Sequence, residues 1–418
     1  MKRVSFGILP NGFRFYTRYR NNTHVAGIGV KVGSIHDPPD LSGMAHFAEH
    51  VLGTLTPEEE LRLEEYDCGP EEQIMVETDR SSTFYGCDLI LRREFVFDIL
   101  GMFAERLSGP LKFITDEKKN LSEKAAIHNE YYLRGKDIPE SALDDAVMWH
   151  MFENNPARKR VDCELEQLEK LNVEDLKRFV KKYYVAGNMF GVILNVPFKK
   201  ARAIMEKYFG HLPAKEAPRI LIENPRPLIL GAKRVEIARP GIHQHHIAVA
   251  FPTWPFGHKD DEAVDLLAEI LQWRLRNRLR FENQEWAKGV YRAFTNTDRS
   301  FAHGIIYAHL ATIDKAFSER AVEIVLEECQ KLRSGFVLNQ EIIAMHNKIF
   351  NQHFDAFENS QGILCRMIVE SACNGDEEMR ELNSFLTRLN RVGKKTLMRV
   401  ANEYLDIKNH LQVVIVPA

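Results

Sequence analysis

A chain of 418 residues is too long for one ordinary domain and long enough for two of about 200 residues each. With 44% hydrophobic and 28% charged residues and a formal net charge of −3, it has the balance of a soluble globular protein and lacks the basic excess of a nucleic-acid binder. No window approaches the roughly 18 uninterrupted apolar residues that span a bilayer. The six cysteines are scattered without a CxxC pair, which excludes a cysteine zinc cage, a redox dithiol and a disulfide scaffold and leaves free thiols in a reducing cytoplasm.

The first residues, MKRVSFGILPNGFRFYTRY, carry no apolar run of signal-peptide length and pass directly into strand-like alternation, so they read as mature sequence. Strand patterns follow at 24–34 and 81–91, alternating with helical patterns such as FVFDILGMFAERLSG and VEDLKRFVKKYY. The mixture predicts an α+β fold. Between the first two strand patterns lies GMAHFAEHVLGT (43–54), an apolar stretch that contains His46, Glu49 and His50. Two histidines four residues apart on a helix project from one face, one turn above the other, and can share a metal ion. HxxEH is the inverse of HExxH, in which two histidines hold zinc and the glutamate takes a proton from the metal-bound water.

A catalytic zinc needs a third protein ligand and one open position. The segment LSEKAAIHNEYYLRG (121–135) offers Glu123 and Glu130, seven residues apart and on one helical face. Glu130 is the candidate third ligand and Glu123 an acid that orients a ligand histidine through its other ring nitrogen. His128, on a different face, is the rival ligand.

Two other motifs weigh against this one. PEEELRLEEYDCGPEE (57–72) holds eight acids against one arginine, which reads as a solvated helix face and, following the metal motif directly, as a field that draws basic peptides. In HQHH (243–246), His243 and His245 point to one face of a strand and His246 to the other, and no companion ligand is nearby, so packing is the preferred reading. Neither GxGxxG, GxxxxGK[ST] nor GxSxG is present, so nucleotide and serine-hydrolase chemistry have no support.

The halves resemble each other. Sliding the chain by 220 residues lays MAHFAEHVL over VDLLAEILQ, so that Ala48 meets Ala268, Glu49 meets Glu269, and the two histidines meet Leu266 and Ile270. Tyr184 meets Tyr404 at the same offset. A duplicated domain follows, with an N-terminal catalytic domain at 1–215, a linker at 216–230 marked by Pro218, Pro225 and Pro227, and a degenerate repeat at 231–418. The repeat also shows what the scaffold uses when the two positions need only pack.

At this point the residues resemble a known family, the pitrilysin and insulysin type of zinc peptidases, which includes the mitochondrial processing peptidases. The similarity lies in LPNGFRFYTR, SGMAHFAEHVLGT, ETDRSSTFYG, EKAAIHNE, YYVAGNM and EKYFGHLP, with IHQHHIAVAFP opening the second domain. The resemblance implies two homologous α/β sandwich domains, each a mostly antiparallel sheet with helices, forming a clamshell. It implies Zn2+ held by His46, His50 and Glu130, Glu49 as general base, and a peptide bound as an added strand at IMVETDR (74–80) through Val76, Glu77 and Thr78. Met75-Val76 stands where the family has Asn-Ala. Tyr291 matches a tyrosine that contacts substrate, whereas Gln284 replaces the arginine seven residues before it, with Arg280 and Arg292 nearby or a partner chain as substitutes. The expected function is a zinc endopeptidase in a homodimer or a heterodimer with a related subunit. The rival is a noncatalytic or partner-dependent subunit.

Overall fold

The computed structural model describes every residue except 1, 21–22, 66–72, 91–92, 137, 164, 228–230, 282–289 and 313–314. The chain is α+β and divides into two compact units, residues 1–131, 160–221 and 354–383 in the first and residues 132–159, 222–353 and 384–418 in the second. None of the helices of the described residues is long and apolar enough to cross a membrane.

The first unit is built on six strands, β1 (Ser5–Ile8), β2 (Arg14–Thr17), β3 (His24–Val30), β4 (Ile74–Thr78), β5 (Thr83–Ile90) and β6 (Met189–Leu194), in the order β1-β2-β6-β3-β5-β4. β3, HVAGIGV, is buried along its whole length, as expected of a central strand covered on both faces. Gly29 lies so close to Phe190 of β6 that a Cβ there would sit 2.2 Å from the ring, so a larger residue would have to push that buried ring aside. One face carries the helices Met44–Gly53, Arg93–Ser108 and Phe198–Phe209, whose Phe47, Val51, Ile99, Phe103 and Phe209 enter a common core. Tyr16, Val25, Phe84, Phe190 and Val192 form the other face and bury Leu364, Cys365 and Ile368 of the helix Gln361–Cys373.

The second unit repeats the plan. Its strands β7 (Lys233–Arg239), β8 (His245–Pro252), β9 (Val290–Arg299), β10 (Gly304–Thr312) and β11 (Leu411–Pro417) run β7-β11-β8-β10-β9. The order and the directions match β2-β6-β3-β5-β4: the first pair in each series is parallel and the other three are antiparallel. The helix Asp261–Arg276 stands after β8 as helix 44–53 stands after β3, and its Leu266 and Ile270 are fully buried.

The units are not cut at 216–230. Helix 361–373, from the second half of the chain, covers the first sheet, and the helix Pro139–Met151, from the first half, packs on β8 and β11 of the second. The two helices occupy corresponding places in the repeats and are exchanged between them. Helical periodicity announces that an apolar face needs a cover but not which sheet supplies it, so a single sequential boundary misses the exchange.

The HQHH segment sits at the start of β8. His246 is 6% exposed, with its ring 5.8 Å from that of His309 on β10, which is 1% exposed. Burial pushes the His309 imidazole down to about 4, assisted by His246 and Arg292 and opposed by Glu140, and burial pushes His353 down to about 4 as well. A histidine with a depressed folded value binds its proton more readily when unfolded, so these groups make no demand on stability above about 6.5 and cost progressively more as pH falls from there toward 4. Equilibrium unfolding followed between pH 7 and pH 4 should therefore show stability dropping across that window, and H309L should flatten part of the slope.

Candidate metal centre and catalytic site

Helix 44–53 begins at Gly43, whose φ of 83° is left-handed, a conformation glycine adopts without strain. Gly43 has no side chain with which to cap the helix, and a preceding acid takes that place. Asp37, 4% exposed, accepts from the Gly43 N–H at 2.7 Å and the Ala45 N–H at 2.8 Å. At the other end the buried Arg106 donates to the carbonyls of Leu52 and Thr54 at 3.3 and 2.7 Å and pairs with Glu59. An anion at the N-terminus and a cation at the C-terminus complement the helix dipole. Phe47, Ala48, Val51 and Leu52 pack inward and leave His46, Glu49 and His50 to one side.

The helix Glu117–Glu130 is capped by Asp116, which accepts from the N–H groups of Lys118 and Lys119. It carries Glu123 and Glu130 two turns apart, and both reach His50. Nδ1 of His50 lies 3.3 Å from Glu123 Oε2, and Nε2 lies 3.1 Å from Glu130 Oε2. His46 Nε2 is 3.2 Å from His50 Nε2 and 3.3 Å from Glu130 Oε2. His128 is exposed and outside the cluster. Among the described residues, His46, His50 and Glu130 form the group whose donor atoms converge as metal ligands do.

The donor set fits zinc. Tetrahedral ligands about 2.0–2.1 Å from Zn2+ lie roughly 3.3 Å from one another, and the three donor atoms here are separated by 3.1–3.3 Å. Two imidazole nitrogens and three buried or half-buried acids, Glu49, Glu123 and Glu130, also concentrate negative charge that a divalent cation balances. Glu123 accepting from Nδ1–H holds His50 in the tautomer whose Nε2 lone pair faces the cluster. Nδ1 of His46 has no hydrogen-bond partner among the described residues, so packing orients that ring.

Glu49 is 8% exposed, with Oε2 3.6 Å from His46 Nε2. Burial raises its carboxyl above the usual range, against the pull of both histidines. For His50 burial lowers the proton affinity, but the hydrogen bonds to Glu123 and Glu130 outweigh it and raise the imidazole to about 10. A metal held by this cluster would compete with the proton for the same Nε2.

Comparison with known proteins decides the family. Residues 15–163 match the model of the insulinase family, peptidase family M16, and residues 170–347 match that of the M16 peptidase inactive domain. The chain belongs to the pitrilysin-type M16 metallopeptidases. Within this family it is similar to a zinc protease, PqqE, of Helicobacter pylori, 22% identical over 412 residues that cover 95% of this chain and 89% of that one. It is similar also to the β subunit of the mitochondrial-processing peptidase of Saccharomyces cerevisiae, 25% identical over 262 residues, 58% of this chain and 52% of that one. In fold it matches the crystal structure of a protease from Helicobacter pylori with a TM-score of 0.85 at 18% identity, each chain covered completely.

The M16 chain places the remaining expected residues as follows. β4, with Val76, Glu77 and Thr78, is the outermost strand of its sheet and pairs among the described residues with β5 alone. Tyr291 lies on β9 in the other unit, and its side chain falls outside the described residues, as do Gln284 and the side chain of Arg280. Arg292 is exposed and pairs with Glu140 at 2.8 Å. Of the acidic run, Pro57–Glu64 is a helix in which Thr56 and Glu59 form a capping box, and Glu59 is bound to Arg106 instead of being purely solvated; residues 66–72 are not described. Sequence reasoning missed Asp37 and Arg106, although the Asp-Pro-Pro preceding the helix is a recognisable start signal.

Because zinc must displace a proton from His50, its affinity should rise about tenfold per pH unit between pH 6 and pH 8, with proton release detectable by calorimetry in buffers of different ionisation enthalpy. Zinc content after dialysis should be lost in His50→Ala and Glu130→Gln, kept in Glu49→Gln, and weakened about 10- to 100-fold in affinity in Glu123→Gln.

Proposed function

We propose that this M16 chain is a zinc-dependent endopeptidase that hydrolyses peptides or unfolded segments. The observation that carries the reading is the meeting of three ligand atoms within 3.3 Å beside a buried carboxylate that is not one of them. Zinc bound there supplies Lewis-acid polarisation of the scissile carbonyl and a water acidified to near neutrality.

The chain's own groups do the rest. Glu49 takes the proton of the attacking water, a task suited to a carboxylate whose basicity burial has raised. The same carboxyl then delivers that proton to the leaving amine. Glu130 and the two histidines hold the metal, and Glu123 holds His50. An extended peptide adds as a strand along the open edge of β4, where main-chain hydrogen bonds to residues 76–78 fix its direction with little demand on sequence. Met75 and Glu77 alternate to the far side of that strand, while Ile74, Val76 and Thr78 share the side of helix 44–53.

A second reading, a subunit active only with a related partner chain, is supported by the similarity to a processing-peptidase subunit and by Gln284 where the resemblance calls for arginine. In both readings the assembly is a homodimer or heterodimer, with a reducing, cytoplasmic setting in keeping with the five described cysteines, all buried and none in a disulfide; Cys68 is outside the described residues.

Cleavage of a mixed peptide pool by the zinc-loaded chain should be abolished by a chelator and restored by zinc. Glu49→Gln should lower kcat by a factor of about 10²–10⁴ with the metal retained. Activity that appears only when a related chain is added selects the second reading, and a Glu49→Gln variant with undiminished turnover removes the proposed base.

A further inference from the structure

The pleat of β4 gives the strand two working faces. Ile74 and Val76 pack toward the core that helix 44–53 enters, whereas Met75, Glu77 and, just past the strand end, Asp79 line a cavity of about 100 Å³ on the opposite face. The other wall of the cavity is helix 361–373, through Cys365, Arg366, Val369 and Glu370. The floor is apolar: Phe84, which pairs with Glu77 across β4 and β5, is buried with Cys365 and Val369, and Met75 packs against this group. Gly86, the cross-strand partner of Met75, has no side chain to fill the space. Met75 itself stands where the family resemblance has asparagine, so this part of the floor is the chain's own.

The rim is charged and unbalanced. Glu77, Asp79 and Glu370 bring three carboxylates to it, and Arg366 brings one guanidinium. Arg366 lies 3.8 Å from Glu77, and the two side chains are 61% and 55% exposed. An ion pair so exposed is worth little, and a competing cation parts it at small cost. A peptide paired on the outer edge of β4 continues the pleat, so every second side chain points to the face of Met75 and Glu77. Neighbouring strands are about 4.8 Å apart, so such a side chain has to lean across one strand spacing to enter the cavity. Short side chains stop before the floor. Lysine and arginine reach it, laying an apolar stem on the floor while the charged head stays at the wet rim.

We propose that the cavity between β4 and helix 361–373 is a specificity subsite that takes one basic side chain of the bound peptide, with Met75, Phe84 and Val369 against its stem and Asp79 and Glu370 beside its charge. The proposal rests on the peptidase reading and on strand addition at β4. A single cavity of this size admits one side chain, so the preference belongs to one position of the peptide. That separates it from the field of the acidic helix 57–64, which attracts positive charge wherever it stands in the peptide.

The test is steady-state cleavage, by the full-length, zinc-loaded chain, of a peptide series in which each position flanking the cleaved bond carries lysine, norleucine or glutamate in turn. At one position kcat/KM should be about tenfold higher for lysine than for glutamate, with norleucine between them, and the positions on either side should not discriminate. D79N/E370Q leaves one carboxylate against one guanidinium at the rim and should reduce the ratio to about twofold. D79N/E370K leaves one carboxylate against two cations and should reverse it. Zinc content should match that of the wild type in each variant. Should a double variant not fold, E370Q alone, at an exposed helix position, should still lower the ratio. No preference at any position, the same preference at consecutive positions, or a ratio that the variants leave unchanged overturns the subsite and leaves the peptidase reading standing. A wild type that cleaves none of the series, alone or with a related chain, sinks both.

Discussion

The site depends on helix 44–53 being held against rotation and sliding. Two imidazoles one turn apart and a carboxylate from a helix some 80 residues later in the chain meet at one point only if the first helix is fixed to within a fraction of an ångström. Its ends are clamped by opposite charges. Asp37 binds two N–H groups at the start, and Arg106 binds two carbonyls at the finish. Both side chains are buried, and each satisfies backbone groups that no helix can satisfy internally. Burying a guanidinium is costly, and Glu59 offsets that cost by pairing with Arg106. The apolar face, through Phe47 and Val51, supplies the third support.

The second unit separates what the scaffold needs from what the chemistry needs. The strand order, strand directions and the helix after the central strand are the same, but Leu266 and Ile270 fill the positions of His46 and His50. The acid is kept as Glu269, where it pairs with Lys348 at 2.6 Å instead of facing a metal cluster. Packing alone is thus satisfied by aliphatic side chains, which bury without unpaired polar groups. The histidines of the first unit are expensive for the fold and are sustained by Glu123 and Glu130.

Histidine chemistry in this chain is decided by neighbours. His50 and His309 are both largely buried, yet one is raised to about 10 and the other lowered to about 4. His50 has two carboxylates in hydrogen-bond contact. His309 has an aromatic ring at 4.7 Å and another imidazole beside it. Burial pushes both the same way, and only the carboxylates reverse it. This is the reason that HQHH reads as packing while HxxEH reads as a site.

The sequence by itself determined everything that depends on spacing along one element. Separations of four positions from His46 to His50 and of seven from Glu123 to Glu130 put each pair on one helical face, because helical geometry is local and repeats every 3.6 residues. The repeat at an offset of 220 was legible for the same reason: both copies obey one pattern of strand and helix periods. Only the tertiary structure decided which faces meet. It brought Glu130, and not His128, to the two imidazoles, exchanged the helices 139–151 and 361–373 between the sheets, and set Asp37 and Arg106 at the two ends of helix 44–53. Those pairings join residues whose separations follow no helical or strand period. They arise from the requirement that every apolar face be covered and every buried polar group be paired, which only the assembled core can satisfy.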